Sequence, residues 1–366
     1  MIKIALLFGG MSSEHDVSLC SAASVYQALD KSKYKVIPIG IDRDGKWYVQ
    51  EKPEIINDKS FGKIFKLKKT GKWLVNHFND NNRLVLHNIT SGKKVKADFV
   101  LPIVHGTNCE DGRLQGLLEL ANVPYAGADV LGSAIAMDKD VAKRLLKENS
   151  IPVVPWIAVM SDEYRENPDA ITDKIIKDIG FPLFVKPNAA GSSIGILKVK
   201  TKEQITNALN NAFLYDNKVL IEKGIDCYEI ECAVLGNNKP EASITGQVIP
   251  KHEFYSYEAK YIDPNGAELK IPAQIDDTIS GAIRKTALNV YKALCCSGMA
   301  RVDFFLEKNT NKFYLNEINT LPGFTGISMY PKLWGQTGLN YNDLIDKIIA
   351  LGFEAHKRRN KLKTQP

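Results

Sequence analysis

Two short runs near the carboxyl end of the chain carry side chains that could support phosphoryl transfer. The first run contains Arg301 and Asp303. A polar turn follows, and the second run contains Glu317 and Asn319. Because side chains two residues apart share one face of a strand, a closed hairpin would bring a guanidinium, two carboxylates and an amide to one surface. Carboxylate and amide oxygens suit Mg²⁺, and a guanidinium can meet charge developing on a phosphoryl group. The alternative is a hairpin with one polar, solvated face.

A glycine- and serine-rich loop, Gly191–Gly195, lies between two short apolar runs. Its small side chains and accessible amides could fold over phosphates. Lys186 precedes this loop, and Lys139 begins a predicted helix; both are candidate phosphate partners because lysine is a compact charge. Glu222 and Glu229 follow the next apolar run, where a carboxylate could accept ribose hydroxyls. Each feature is weak alone, since surface solvation or a salt bridge would use the same residue types.

Glu14 lies in a loop after the first apolar run and its Gly9-Gly10 pair. A carboxylate there could hold a substrate ammonium, or Glu14 and His15 could only cap the following helix. The loop His105–Gly112 follows another apolar run. Loops that follow parallel strands open on the same crevice, so these two loops are expected to face each other.

The first third of the chain alternates strand and helix signals, which predicts a parallel sheet. The predicted elements are Ile4–Phe8, Ser18–Leu29, Val36–Ile41, Phe99–Val104, Leu114–Ala121 and a short strand and turn at Val123–Gly127. The polar stretch from Lys52 to Lys96 predicts a β-rich excursion from this layer.

The rest of the chain mixes strands with fewer helices. The predicted elements are helix Lys139–Asn149, strands Phe181–Pro187 and Ile196–Val199 around the glycine-rich loop, and helices Ile279–Leu294 and Tyr341–Ala350. A strand–loop–strand order indicates a lid hairpin and not a strand–loop–helix P-loop. We expect domains at residues 1–128, 129–222 and 223–355, followed by a basic tail at 356–366.

The composition, 44% hydrophobic and 25% charged over 366 residues, is that of an ordinary globular protein with two or three domains. Five of the 48 basic residues lie in His356–Lys363, so the remainder is nearly neutral and no nucleic-acid partner is expected. We expect that terminal segment to be frayed and solvated. The six cysteines form no C-x-x-C pair and no run approaches a membrane span, so we expect a cytoplasmic protein without a membrane partner.

In order along nearly the whole chain, the motifs resemble those of the D-alanine–D-alanine ligases of the ATP-grasp superfamily. The first motifs are Phe8-Gly9-Gly10, Ser13-Glu14, Val17-Ser18, His105-Gly106, Glu110-Asp111-Gly112, Gln115-Gly116 and Met137-Asp138-Lys139. The later ones are Lys186-Pro187, Gly191-Ser192-Ser193, Ile221-Glu222-Lys223, Tyr257 to Tyr261, Arg301-Val302-Asp303 and Asn316 to Thr325. Cys109 departs from the family pattern, which usually has glycine there.

The resemblance implies a mixed α/β ATP-grasp fold, with a parallel-sheet amino-terminal domain, a central lid domain and a carboxyl-terminal ATP-grasp domain. It implies that ATP phosphorylates one D-alanine and that a second D-alanine attacks the acyl phosphate. A homodimer is implied by the family alone.

The resemblance also implies roles for individual residues. The metal ligands, for two Mg²⁺ ions that Mn²⁺ could replace, would be Asp303, Glu317 and Asn319. The ATP-binding residues would be Lys139, Lys186, Ser193, Glu222, Lys223, Ile225, Glu229 and Lys260. The substrate-binding residues would be His105, Ser328 and Met329. The catalytic residues would be Glu14, Ser192, Tyr261, Arg301 and Gly323.

Three alternatives follow from the same residues. The nearest keeps the fold and takes D-serine or D-lactate as second substrate. Resistance-type ligases of this family tend to carry Arg at the position of Met329, whereas the stretch Glu231–Gly236 looks like theirs. A nucleotide-binding oxidoreductase lacks support because no G-x-G-x-x-G fingerprint is present. A non-catalytic ATP-binding regulator would be expected to have lost part of the Arg301, Asp303, Glu317 and Asn319 set.

Overall fold

The computed structural model describes residues 1–76, 80–251 and 266–363. The amino-terminal third contains, in chain order, β1 (Ile2–Gly9), α1 (His15–Ala28), β2 (Tyr34–Ile41), β3 (Trp47–Val49), β4 (Ile55–Asp58), β5 (Gly62–Phe65), β6 (Trp73–Asn76), β7 (Leu84–Asn88), β8 (Lys94–Ala97), β9 (Phe99–Pro102) and α2 (Arg113–Leu120). Strands β2, β1 and β9 are parallel, and β3 pairs antiparallel with β2 at the edge. The predicted parallel sheet is therefore confirmed.

The excursion between β3 and β9 forms two small antiparallel sheets, β4–β5 and β6–β7–β8. This confirms the β-rich character predicted for it. The short strand and turn predicted at Val123–Gly127 are found as a single parallel bridge between Tyr125 and Val100, followed by a turn. Pro124 has no N–H to extend the pairing, and Gly127 turns the chain away at a φ of +102°.

A second, antiparallel sheet occupies the middle of the chain. Its region contains α3 (Val130–Met137), α4 (Lys139–Glu148), β10 (Trp156–Met160), α5 (Ser161–Glu166), α6 (Pro168–Asp178), β11 (Leu183–Pro187), β12 (Leu197–Val199), α7 (Ile205–Ala212) and β13 (Lys218–Lys223). The strand order is β10-β13-β11-β12. Antiparallel pairing of β11 with β12 confirms the predicted hairpin around the glycine-rich loop. At the start of α4, the Asp138 carboxylate accepts the Val141 N–H and caps the helix.

A third sheet, with strand order β16-β15-β14-β17-β18, forms most of the carboxyl-terminal region. The elements are β14 (Cys227–Leu235), β15 (Glu241–Pro250), β16 (Ala267–Lys270), α8 (Asp277–Ala293), β17 (Met299–Glu307), β18 (Phe313–Asn319), α9 (Met329–Thr337) and α10 (Tyr341–Arg359). One apolar core joins Phe8 of β1 and Leu19 of α1 to the last two helices. Tyr330 of α9 and Ile348 of α10 belong to this same core, so the two ends of the chain are packed together.

The predicted frayed tail is wrong for residues 356–359, because α10 continues to Arg359. His356 Nε2 lies 2.9 Å from the carbonyl oxygen of Asn122, and the Arg359 guanidinium is 3.1 Å from Glu119. Contacts with the amino-terminal layer thus hold the last turns of the helix in place. In the described part of the chain, no helix is both long and apolar enough to cross a bilayer.

Candidate active site

The β17–β18 hairpin gathers four predicted residues on one face. Asp303 pairs with Glu317, and Arg301 pairs with Asn319, in antiparallel register. Arg301 binds the Asp303 carboxylate through two N–H groups, with Nε 2.8 Å from Oδ1 and Nη2 2.6 Å from Oδ2. The Asn319 amide donates to the same Oδ2 at 3.0 Å. The hairpin register predicted from the alternating pattern is therefore confirmed.

Arg301 also contacts Glu231, a residue that the sequence pattern did not assign. Glu231 lies on β14, next to β17, and its Oε2 is 2.9 Å from Arg301 Nε. Burial would lower the pKa of Arg301, but Asp303 and Glu231 hold it well above its usual range. The signal was available, since Glu229 and Glu231 are two apart on one strand and therefore share a face.

The donor chemistry of this face fits Mg²⁺. Among the described residues, no group of three or more His, Cys, Asp and Glu side chains is gathered closely enough to hold a metal. Mg²⁺ does not need such a cage, because it is usually held by one or two carboxylates together with water and substrate phosphates. Asp303 and Glu317 supply two carboxylates on adjacent strands, and Asn319 adds an amide oxygen.

A cavity of about 670 Å³ lies over this face and connects it with two further groups of residues. The predicted site residues that line it are Glu14, His105, Ser192, Glu229, Arg301, Asp303, Glu317, Asn319, Gly323, Ser328 and Met329. A smaller cavity is bordered by Lys139 and shares Glu14, Glu317 and Asn319 with the larger one. The structure thus brings most of the predicted residues to one continuous space.

Glu14 lines the cavity and is 7% exposed. The hydroxyl of Ser192, in the glycine-rich loop, donates to Glu14 Oε1. Backbone approaches the carboxylate closely at two glycines: a Cβ on Gly106 would lie 2.6 Å from Oε2, and one on Gly191 would lie 2.7 Å from it. A side chain at either position would have to displace the Glu14 carboxylate, and the φ of +79° at Gly106 also favours glycine. The amino-terminal layer and the central loop therefore meet at this carboxylate.

His105 and Glu110 line the same cavity as Glu14, and burial shifts the pKa of each toward its uncharged form. Burial lowers the pKa of His105 to about 4, so the ring is neutral near pH 7. Its Nδ1 is 2.9 Å from the Leu321 carbonyl oxygen and its Nε2 is 3.1 Å from the Ser21 hydroxyl. Burial, followed by the Glu14 carboxylate, raises the pKa of Glu110 to about 8. Glu110 belongs to the motif Glu110-Asp111-Gly112, but the sequence alone indicates no role for its side chain.

Lysines dominate the side toward the central sheet. Lys139 Nζ donates to the Ala190 carbonyl at 2.7 Å and lies 3.6 Å from Glu317 Oε2. Lys186 Nζ contacts Glu222 Oε2, and Lys143 Nζ lies 2.8 Å from Oε1 of the same carboxylate. Burial would raise the pKa of Glu222, but Lys143 and Lys186 lower it to about 2.

Both oxygens of Glu222 therefore face lysines. Glu229 lines the larger cavity, whereas Glu222 is 2% exposed. Lys143 was not identified from sequence, although its spacing of four from Lys139 places both on one face of α4.

The turn before α9 also lines the cavity. The Thr325 N–H donates to Ser328 Oγ at 2.9 Å, and a Cβ on Gly323 would lie 2.8 Å from that same oxygen. Met329 is buried and packs against Gly246 of β15, where a Cβ would lie 2.8 Å from its sulfur. The Ser328 hydroxyl and the Met329 thioether thus border this part of the cavity.

Some predicted residues are not brought to these cavities. The predicted residues outside the lining of both are Lys186, Ser193, Glu222, Lys223 and Ile225. Ser193 is nevertheless in the glycine-rich loop, where it and Ser192 have φ values of +59° and +53°. Lys260 and Tyr261 lie outside the described residues.

Cys109 is accommodated within the loop that leads to Glu110. The residues of this loop with positive φ are Gly106, Asn108 and Gly112, and not Cys109. Cys109 is buried, its Sγ would lie 3.4 Å from a Cβ on Gly10, and its carbonyl accepts the Gln115 side-chain N–H at 2.9 Å. Burial raises the pKa of the thiol well above its usual range, so the side chain packs as a neutral group.

A central antiparallel sheet with a glycine-rich hairpin, meeting a second sheet that carries an arginine and paired carboxylates, defines the ATP-grasp fold. Two family models match the chain: "D-ala D-ala ligase N-terminus" over residues 3–128 and "D-ala D-ala ligase C-terminus" over residues 145–350. The chain belongs to the D-alanine–D-alanine ligase family.

Individual relatives agree with this assignment. The chain is 46% identical over 363 residues to a D-alanine–D-alanine ligase of Oceanobacillus iheyensis, covering 99% of this chain and 98% of that protein. It is 44% identical to D-alanine–D-alanine ligase A of Salmonella typhimurium, covering 99% of each. Among solved structures, the D-alanine–D-alanine ligase of Coxiella burnetii has a TM-score of 0.78 at 34% identity, covering 99% and 98%. The VanG D-Ala:D-Ser ligase of Enterococcus faecalis has a TM-score of 0.80 at 34% identity, covering 96% and 99%.

Proposed function

We propose that the protein joins two D-alanine molecules into D-alanyl-D-alanine at the expense of ATP, for peptidoglycan synthesis. A carboxylate oxygen of the first D-alanine attacks the γ-phosphorus of ATP, and the bond to ADP breaks. The neutral amine of the second D-alanine then attacks the acyl carbon. The tetrahedral oxyanion collapses, phosphate leaves, and the nitrogen loses a proton, which gives the dipeptide, ADP and phosphate.

One observation supports this proposal: a single cavity is lined by the buried Glu14 carboxylate, by the face of the β17–β18 hairpin that carries the Arg301–Asp303 pair, and by the turn that carries the Ser328 hydroxyl. An amino acid whose ammonium pairs with Glu14 would direct its carboxylate toward the hairpin. Holding both reactants in this way replaces a bimolecular encounter, which is a large part of catalysis in such reactions.

The part of the cavity lined by Glu14 would bind the first D-alanine. Glu14 would receive its ammonium, and Ser192 would hold the Glu14 carboxylate in place through the observed hydrogen bond. Neutral His105 would stand near the substrate carboxylate without adding charge. Arg301 and the Gly323 amide would stabilise the oxyanion, since donors fixed before the reaction need no reorganisation.

The hairpin and the central sheet would hold the nucleotide. Lys139, Lys186 and the Ser193 loop would address its phosphates. Glu229 would address the ribose, and Glu222, Lys223 and Ile225 would contribute backbone groups, because the Glu222 carboxylate is paired with lysines. Lys260 is assigned to ATP by the resemblance alone. Asp303, Glu317 and Asn319 would hold two Mg²⁺ ions, replaceable by Mn²⁺, which when bound neutralise phosphate charge.

Ser328 and Met329 would border the second D-alanine, with Ser328 facing its carboxylate and Tyr261 closing the site. The alternative acceptor is D-serine or D-lactate, and the similarity to the VanG D-Ala:D-Ser ligase keeps D-serine open. Met329 favours D-alanine, because resistance-type ligases tend to carry Arg there.

The setting of the enzyme is proposed on the same basis. We expect a cytoplasmic homodimer whose partners are small molecules, without nucleic acid or membrane. We also propose domain boundaries at 128/129 and 222/223.

The acceptor assignment is tested by product analysis. Purified protein is incubated with ATP, Mg²⁺ and D-alanine, alone or with equal D-serine, D-lactate or L-alanine, and products are identified by mass. We expect D-alanyl-D-alanine to predominate in every mixture, with one phosphate released per dipeptide. A predominant mixed product with D-serine or D-lactate would replace the acceptor assignment, and absence of any dipeptide would refute the ligase function.

A further inference from the structure

Lys143 is a fully buried lysine that the proposed reaction does not use. Its side chain on α4 is 1% exposed, and its Nζ lies 2.8 Å from Glu222 Oε1. The ring of Trp156 lies 5.7 Å away, and the indole N–H donates to Asp140 at 3.0 Å. Lysine is almost never fully buried unless paired, because desolvation of the ammonium is costly. Lys143 lies outside the lining of both cavities, so direct contact with a ligand does not explain why a charged side chain is buried there.

The Glu222 carboxylate divides its two oxygens between two lysines. Oε1 faces Lys143 and Oε2 faces Lys186, and all three side chains are nearly inaccessible to solvent. Two ammonium groups around one carboxylate leave one net positive charge. Without Lys143, Glu222 and Lys186 would form a neutral pair. The positive charge of Lys186 would then be balanced by Glu222 and would attract a further anion only weakly.

We propose that Lys143 is a positioning residue for the nucleotide phosphates: it balances Glu222, so that Lys186 keeps its positive charge for a phosphate oxygen. This inference rests on the proposed function, in which Lys186 addresses the phosphates of ATP. Lys143 acts through Glu222 and Lys186 and does not touch the ligand itself. Its effect is therefore confined to ligands that carry a phosphate.

The pKa shifts of Lys143 and Glu222 agree with a charged Glu222 between the two lysines. Burial lowers the pKa of Lys143, and the Glu222 carboxylate opposes that effect. Glu222 stays ionised, since the lysines lower its pKa to about 2. In a poorly solvated site, charges interact more strongly than in water, so removing one lysine changes the pull on the other.

The test compares the affinity of the full-length protein for ATP and for adenosine by titration calorimetry. Lys143→Met should weaken ATP binding about tenfold and leave adenosine binding within twofold of the parent. Lys143→Gln keeps a hydrogen-bond donor but not the charge, and it should weaken ATP to a similar degree. Lys147→Met, an exposed position on the same helix, controls for net charge and should bind ATP like the parent.

Rescue separates a charge effect from damage to the fold. Adding Glu222→Gln to Lys143→Met removes the carboxylate that would capture Lys186, so ATP affinity should recover to within about threefold of the parent. Equal loss of ATP and adenosine binding, or no recovery in the double variant, would make Lys143 merely structural. Normal ATP binding by Lys143→Met and Lys143→Gln would overturn the inference while the ligase function stands. A parent that binds no ATP would overturn both.

Discussion

Asp303 and Glu317 lie directly opposite each other on adjacent antiparallel strands, β17 and β18, and both line the cavity. Two carboxylates in such proximity repel each other unless cations intervene. Arg301 binds Asp303, and Lys139 is 3.6 Å from Glu317, so each carboxylate has its own cation. The two cations therefore limit the repulsion between the two carboxylates on this face.

The first prediction concerns Glu317 as a metal ligand. Glu317→Gln should lower turnover roughly a thousandfold or more, because a metal ligand that loses its charge would remove several kcal/mol of transition-state stabilisation. Turnover is measured over a range of Mg²⁺ concentrations. Glu307→Gln, at the far end of the same hairpin, should retain parent activity. Near-parent turnover of a folded Glu317→Gln at saturating Mg²⁺ would refute the metal role.

The second prediction concerns the hold of Glu231 on Arg301. Glu231→Gln keeps an acceptor for the guanidinium but removes the charge, which is worth roughly 1.5 kcal/mol and therefore about a tenfold decrease in kcat. The KM for ATP should change by less than about twofold. Steady-state kinetics measure both constants. Glu241→Gln, an exposed position on β15, is the charge-matched control. An increase in KM with unchanged kcat would contradict this role.

The third prediction follows from the raised pKa of Glu110. The folded carboxyl keeps its proton up to about pH 8, whereas the unfolded chain loses it near pH 4.5. The stability that this group contributes is thus fully present below pH 4.5 and is lost as pH rises through about 8. Glutamine does not ionise, so Glu110→Gln should gain a few degrees in Tm relative to the parent between pH 5 and pH 8.

Thermal unfolding at both pH values measures this difference. Glu354→Gln, an exposed position on α10, should give the same difference from the parent at each pH. A pH-independent difference for Glu110→Gln would show that its carboxyl titrates normally.

The fourth prediction concerns the contact between α10 and the amino-terminal layer. A Cβ on Gly352 would lie 2.7 Å from the Phe99 ring and would also meet the Tyr125 carbonyl. Gly352→Ala should therefore lower the free energy of unfolding by about 1–3 kcal/mol through overpacking. Gly281, in α8, has open space at its Cβ position, so Gly281→Ala should raise stability by about 0.5–1 kcal/mol. Urea unfolding measures both, and equal effects would show that the close contact is absent.

Local periodicity explains which parts of the site could be predicted from sequence. The alternation around Asp303 and Glu317 determined their shared face, because strand residues two apart point the same way. The partner of Glu222 could not be found in this way, since Lys143 lies on a helix far earlier in the chain. The same reason applies to the tail: its charge predicts solvation, but the tertiary contacts of His356 with Asn122 and of Arg359 with Glu119 explain why the helix continues.

The most direct test of the central claim follows oxygen atoms. The protein is incubated with ATP, Mg²⁺ and D-alanine labelled with ¹⁸O in both carboxylate oxygens, and the released phosphate is examined by mass spectrometry. If the carboxylate of the first D-alanine attacks the γ-phosphorus, each phosphate should contain one ¹⁸O atom for every dipeptide formed. Dipeptide formation with unlabelled phosphate, or with the label in AMP, would contradict an acyl phosphate at this site.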